Sequence, residues 1–216
     1  MEEVFEHEVE DAAALARLAN SAINQANFTE ADKAICALRQ LELTPEMQLF
    51  ALQSRLRLAE LMGRKLEACE AVETIEQAYH GIAQPGGWVQ HWYVYAWLIL
   101  PFACGYPVDI FYLHHLSQEL PQVVMRQRCV ARAVQHGVQQ YDHNFMAFIL
   151  DGFESRPLQG DPYYRSKVCF LIDIYHRDYS RLRIDADNFK RSASSPLQEH
   201  AAAMLIRQYS HLIAKS

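Results

Sequence analysis

Glycine and proline are scarce here, eight of each in 216 residues, and no low-complexity tract appears. Disorder is therefore expected only at the ends. Excess positive charge is also missing. Lys and Arg number 20 against 26 Asp and Glu, a formal net charge of −6, where a nucleic-acid binder would carry a basic face. The five cysteines (Cys36, Cys69, Cys104, Cys129, Cys169) stand singly with no CxxC pair, which predicts reduced thiols in a core. The opening MEEVFEHEVED is acidic where a secretory signal would be basic and then apolar. The longest apolar run, Trp92 to Cys104, is interrupted by Pro101 and falls short of the roughly 20 residues of a bilayer span. No segment alternates as a strand. These absences leave an all-α chain with no membrane span and an expected cytosolic location.

What is present is concentrated between Gly87 and Cys104, GWVQHWYVYAWLILPFAC. This stretch holds Trp88, Trp92 and Trp97, and nothing from Glu76 to Asp109 is formally charged between those two residues. Each large aromatic hides roughly 150–250 Å² when buried, so the segment is expected to be a central buried helix. Its aromatics point around most of a helix circumference. Some must therefore meet a second layer of protein, a partner, or another copy of the chain.

Before it, two helix pairs are expected. Leu15, Leu18, Ala19 and Ala22 lie at helical spacing, followed by a turn at 25–28 and by Ala31, Ala34, Ile35 and Leu38, with Thr29 as the expected N-cap. In the second pair Thr44, Pro45 and Glu46 combine a capping hydroxyl, a first-turn proline and a first-turn acid. Leu49, Leu52, Leu56 and Ala59 supply the inner face, Gly63 the stop, and Leu66, Ala68, Val72 and Ile75 the partner helix. The pairs superpose at an offset of about 37 residues: Ala26 on Gly63, Ala31 on Ala68, Ile35 on Val72, Leu38 on Ile75. With Ala19, Ala31, Gly63 and Ala68 at its small-residue positions, this region (residues 12–80) resembles the tetratricopeptide repeat. It departs from that pattern in lacking bulky aromatics on the first helix and in having Ala26 at the first turn. The resemblance implies a groove formed by the first helix of each pair, lined by Asn20, Asn24, Gln48, Arg55, Trp88 and Trp92, that holds a peptide or helix of another protein.

After a break at Gln84–Gly87, a degenerate third hairpin turning at Gly105-Tyr106-Pro107 would meet an enlarged helical cap. That cap begins with a helix from Pro121 ending near Gly137. A second helix, Tyr141–Phe153, turns Phe145, Phe148, Ile149 and Phe153 inward. A third is capped by Asp161-Pro162 and carries a Val168, Leu171, Ile172, Tyr175 stripe, and the last starts at Ser195-Pro196. The expected organisation is thus an acidic leader (1–11), hairpins (12–84) and a C-terminal helical bundle or continued helical repeats (85–216), in a right-handed α-α superhelix.

Chemistry has thin support. Ten histidines include His115 four residues from Glu119, His176 four from Ser180, and His136 seven from His143, but none forms a closed ligand set. Cys104 with Asp109 and His114 or His115 is the one thiol arrangement, and a helix C-terminus would raise that thiol's pKa. The mixed charges of Arg177–Arg191 read as a solvated, self-paired face or a docking patch for an acidic partner, and Arg126, Arg128 and Arg132 as the rim of a groove. No catalytic residue, metal ligand or cofactor is assigned. The expected function is non-catalytic recognition of another protein or peptide, as an adaptor, cytosolic chaperone or regulatory subunit. The alternatives are an enzyme with a His/carboxylate or Cys104-centred pocket, and a homo-oligomer joined through the aromatic helix.

Overall fold

The computed structural model describes residues 2–41, 43–82, 89–90, 93–94, 96, 111, 115, 120, 123–155 and 160–214, with side chains from Asp11 onward except at 125, 149 and 152–155. All regular structure among the described residues is helical. The chain divides into two compact units, Met1–Val108 and Asp109–Ser216.

The first unit contains α1 (Glu2–Asn24), α2 (Phe28–Leu38), α3 (Pro45–Leu61) and α4 (Lys65–His80). Helix α1 begins in the acidic opening, which forms its first turns. It pairs with α2, α3 pairs with α4, and α3 also packs on both α1 and α2. Thr44 caps α3 as expected, its Oγ1 accepting the Met47 N–H at 3.3 Å. The cap of α2 is Asn27 rather than Thr29. Its Oδ1 accepts the Glu30 N–H, while its Nδ2 donates to the Glu30 carboxylate at 2.7 Å, so one residue serves both groups.

The superposed pairs correspond bond for bond. In the first turn Ala26 has φ of 55°, its N–H donates to Ile23 O, and the Asn27 N–H reaches back to Ala22 O at 2.8 Å. In the second, Gly63 has φ of 68°, its N–H donates to Glu60 O, and the Arg64 N–H reaches Ala59 O at 2.8 Å. This is a left-handed residue closing a helix through a six-to-one bond, which satisfies carbonyls the helix end would otherwise leave open. The next helices cross closely at the buried Ala31 and Ala68, then at Ile35 and Val72, Leu38 and Ile75. Leu66, expected inward, is instead 83% exposed, because it lies in the first turn of α4 before that crossing.

The described part of the aromatic segment is helical at Val89, Gln90, Tyr93, Val94 and Ala96. Val89 and Ala96 join the core of Leu49, Leu56, Ala59, Ala68, Ala71, Val72 and Ile75, and Tyr93 stacks on Tyr79 with ring centroids 4.2 Å apart. Trp88, Trp92, Trp97 and the expected third turn at 105–107 lie outside the described residues.

The second unit contains α5 (Val123–Gln140), α6 (His143–Ser155), α7 (Pro162–His176), α8 (Tyr179–Arg191), α9 (Pro196–Gln208) and the short α10 (Ser210–Ile213). Asp161 and Ser195 cap α7 and α9 as expected, each followed by proline. Helix α5 does not end at Gly137. It runs to Gln140, and Gly137 sits inside it because the Phe145 ring packs where a side chain would be, 2.6 Å from an added Cβ. Phe148, expected inward, is half exposed, with Phe145 and Met146 taking the buried positions.

The same turn recurs twice more. Tyr141 (φ 52°) donates to Val138 O, and the Asp142 N–H reaches Gly137 O at 3.0 Å; Arg177 (φ 56°) donates to Ile174 O, and the Asp178 N–H reaches Asp173 O at 3.1 Å. Five residues after each left-handed position a buried side chain marks the crossing: Ala31, Ala68, Met146 and Leu182. The charged segment 177–191 therefore contains a helix with Leu182, Ala186 and Phe189 turned inward. Phe189 stacks on Phe170 at 5.8 Å.

Candidate functional site

The expected groove residues are all tied into internal contacts where they are described. On α1, Asn20 and Asn24 present their Oδ1 atoms to one guanidinium, Arg57 of α3, which donates from Nη1 to Asn20 at 3.0 Å and from Nη2 to Asn24 at 3.2 Å. Arg57 is buried, as are Gln53 and Ser54 of the same helix. With each Oδ1 held, Nδ2 is the atom Asn20 and Asn24 keep for donation, and Asn24 is exposed. Gln48 lies at the other end of α3 and donates from Nε2 to Leu43 O at 3.0 Å. Arg55 turns to α4, pairing with Glu67 at 3.3 Å and Glu70 at 2.9 Å. The structure thus joins Asn20 with Asn24, leaves Gln48 and Arg55 apart from them, and Trp88 and Trp92 lie outside the described residues. Arg57, which organises the pair, escaped the sequence analysis, since a lone arginine inside LRLAE gives no sign of which helix it faces.

In the second unit the basic residues of α5 serve their own surroundings. Arg126 Nη1 donates to Leu120 O at 2.6 Å, and Arg132 Nη1 to Gln135 Oε1 at 3.3 Å. Buried Gln127 accepts the Asp161 N–H at 3.0 Å and fills the space beside Gly160, whose φ is 121°. His136 is buried, and its pKa is lowered by desolvation and then by Arg132, which keeps the imidazole neutral. His143 Nδ1 lies 2.7 Å from Tyr175 Oη, linking α6 to α7, while His176 is exposed. Among the described residues no three His, Cys, Asp or Glu side chains converge on a metal position. Of the thiol arrangement, His115 alone is described; Cys104, Asp109 and His114 lie outside the described residues, as does Glu119.

The cysteines differ from the expectation of reduced core thiols. Cys36 is exposed and Cys69 is disulfide-bonded. Cys129 is buried, and desolvation pushes its thiol up to about 12, so it stays protonated and inert. Cys169 is half-buried with its pKa also raised, first by desolvation and then by Asp185.

Two carboxyl groups form the most unusual polar arrangement. Asp173 of α7 is buried, 6% exposed, and Asp185 on α8 is the neighbouring acid that acts on it. Neither Asp173 Oδ2 nor Asp185 Oδ2 touches water or accepts a hydrogen bond from another donor. Arg181 Nη2 stands 3.9 Å from Asp185 Oδ2, beyond hydrogen-bond reach. Two buried carboxyl groups that act on each other repel when both are ionised, which favours the protonated form of Asp173. Desolvation first, then the bond and charge of Asp185, raise Asp173 to about 7. No local signal marks this pair in the sequence, because Asp173 takes the register position that Ala22, Ala59 and Gly137 fill with small residues.

Among the described residues no helix is long and apolar enough to cross a membrane. Comparison with protein-family models, with curated proteins and with solved structures finds no match to this chain.

Proposed function

We propose that this chain is a non-catalytic, tetratricopeptide-like helical-hairpin protein that holds another polypeptide against the first helices of its N-terminal pairs. The observation that carries the reading is the repeated hairpin, with the same left-handed turn and the same buried crossing at Ala26/Ala31 and Gly63/Ala68. Stacked hairpins build an extended surface from equivalent helices, and here α1 and α3 are neighbours. On that surface Arg57 fixes two carboxamides with their Nδ2 groups left to donate. Two oriented donors suit main-chain carbonyls of an extended or helical segment, which gives affinity without reading side chains.

A cytosolic setting, a chaperone or adaptor role, and self-association through the aromatic helix belong to the same proposal. Thiol counting by intact mass on protein taken directly from its host tests the cytosolic setting: free thiols throughout support it, and a retained disulfide at Cys69 overturns it. The binding reading is tested with a photo-crosslinking residue at position 24, and a control at the exposed Lys33 of α2. A discrete adduct with a host polypeptide from position 24, absent from position 33 and lost in Arg57→Met, is the expected result. Equal labelling from both positions, or none from 24, overturns it.

A further inference from the structure

Among the described residues four hairpins share one turn, and of these only the last places acids beneath it. Asp173 and Asp185 occupy the positions that hold Ala22 and Ala34 in the first hairpin and Ala59 and Ala71 in the second, all four of which are buried. An alanine there is indifferent to pH. A carboxyl pair is not, because closing the hairpin brings two acids together in a place sealed from water.

We propose that the α7–α8 hairpin is a proton-operated latch: one proton shared between the Asp173 and Asp185 side chains holds the two helices together, and its release to solvent loosens them. With the proton present, one carboxyl donates and the other accepts, and the two otherwise unserved Oδ2 atoms are accounted for. Without it, two negative charges face each other across the hairpin, with Asp178 in the turn adding a third and Arg181 on α8 opposing them from an exposed position. Arg181 cannot replace the proton at 3.9 Å. Cys169, one turn before Asp173, is raised by the same two acids and supplies no charge. On the neighbouring helices, α5 carries His136, neutral through burial and Arg132, and α9 carries His200.

The direction with pH follows from linkage. Asp173 is raised from 3.8 in the free carboxyl to about 7 in the folded chain, so between those values the folded state holds a proton that the unfolded state has released. Stability from this pair is then greatest at or below about pH 4 and declines as pH rises toward 7. The linked change would reach about a thousandfold in the closed-to-open ratio if fully expressed, and solvent near Arg181 reduces it to about tenfold to a hundredfold.

The test is amide hydrogen exchange on the full chain between pH 5 and pH 8, corrected for the intrinsic pH dependence of exchange. Protection of the α7 and α8 amides is expected to fall about tenfold to a hundredfold over that range, while that of α1–α4 does not follow. Asp173→Asn supplies a permanent neutral donor to Asp185 and is expected to remove the slope; Asp185→Asn is expected to do the same from the other side. A slope that survives in both variants, or a flat wild type, overturns the latch. Should either variant not fold, carboxyl-carbon NMR titration of the wild type decides: one member of the pair titrating near pH 7 supports the proposal, and both titrating below pH 5 overturns it.

Discussion

The two units build the same hairpin turn and fill the space beneath it differently. In the first, the crossings are lined by buried alanines at 22, 31, 34, 59, 68 and 71. In the second, Gly137 admits the Phe145 ring in one hairpin, and an acid pair takes the crossing in the other. Backbone geometry at the turn therefore does not depend on what the crossing contains. The left-handed residue and its six-to-one bond are satisfied by Ala, Gly, Tyr or Arg alike, so the turn is a property of the helix end. Packing and pH response belong to the side chains beneath it.

Truncating the position that closes each crossing tests the equivalence most severely. Leu38, Ile75 and Phe189 are fully or nearly fully buried at matching register. Leu38→Ala and Ile75→Ala are each expected to cost about 2–5 kcal/mol, and Phe189→Ala about 3–5 kcal/mol, by urea denaturation. Costs below about 1 kcal/mol at any of the three would remove that residue from the shared core. Next, Gly137→Ala is expected to destabilise by about 1–3 kcal/mol despite better helix propensity, because the new methyl meets the buried Phe145 ring at 2.6 Å. A gain in stability there would show that the ring yields freely.

Smaller effects sharpen the comparison at the turns themselves. Gly63→Ala is expected to lose about 1 kcal/mol, whereas Ala26→Gly, Tyr141→Gly and Arg177→Gly each gain about 0.5–1 kcal/mol, since only glycine adopts this backbone without cost. Opposite signs at equivalent positions, read from thermal midpoints, are the check. The smallest change is expected at Glu70→Ala, about 0–0.5 kcal/mol, because the Glu70 side chain is largely in solvent and Arg55 keeps Glu67.

Much of this fold is legible in the sequence. Helix starts at Thr44-Pro45, Asp161-Pro162 and Ser195-Pro196 carry local signals that need no tertiary context. The 37-residue register of the first unit was legible because small residues and β-branched residues recur in phase. Its continuation into the second unit was hidden, because Gly137 and Asp173 stand where Ala22 and Ala59 do, and the larger Met146 and Leu182 stand where Ala31 and Ala68 do. A helix stop is expected at Gly137 for a related reason: sequence does not distinguish a glycine that ends a helix from one that makes room for a ring. Leu66 and Phe148 were placed inward on periodicity alone, and which turn of a helix lies beyond the crossing is settled only by packing. Of the groove, the helix bearing Asn20 and Asn24 was legible, but their partner Arg57 was not, because hydrogen bonds between residues 33 and 37 positions apart leave no local trace.

The central claim, that four hairpins close through one and the same turn, is open to a direct measurement. Scalar couplings across hydrogen bonds, recorded by NMR, report whether the amides of Asn27, Arg64, Asp142 and Asp178 are bonded to the carbonyls of Ala22, Ala59, Gly137 and Asp173. The account predicts all four couplings. Couplings in the first two turns with none in the last two would contradict it, and would confine the repeat to the N-terminal unit.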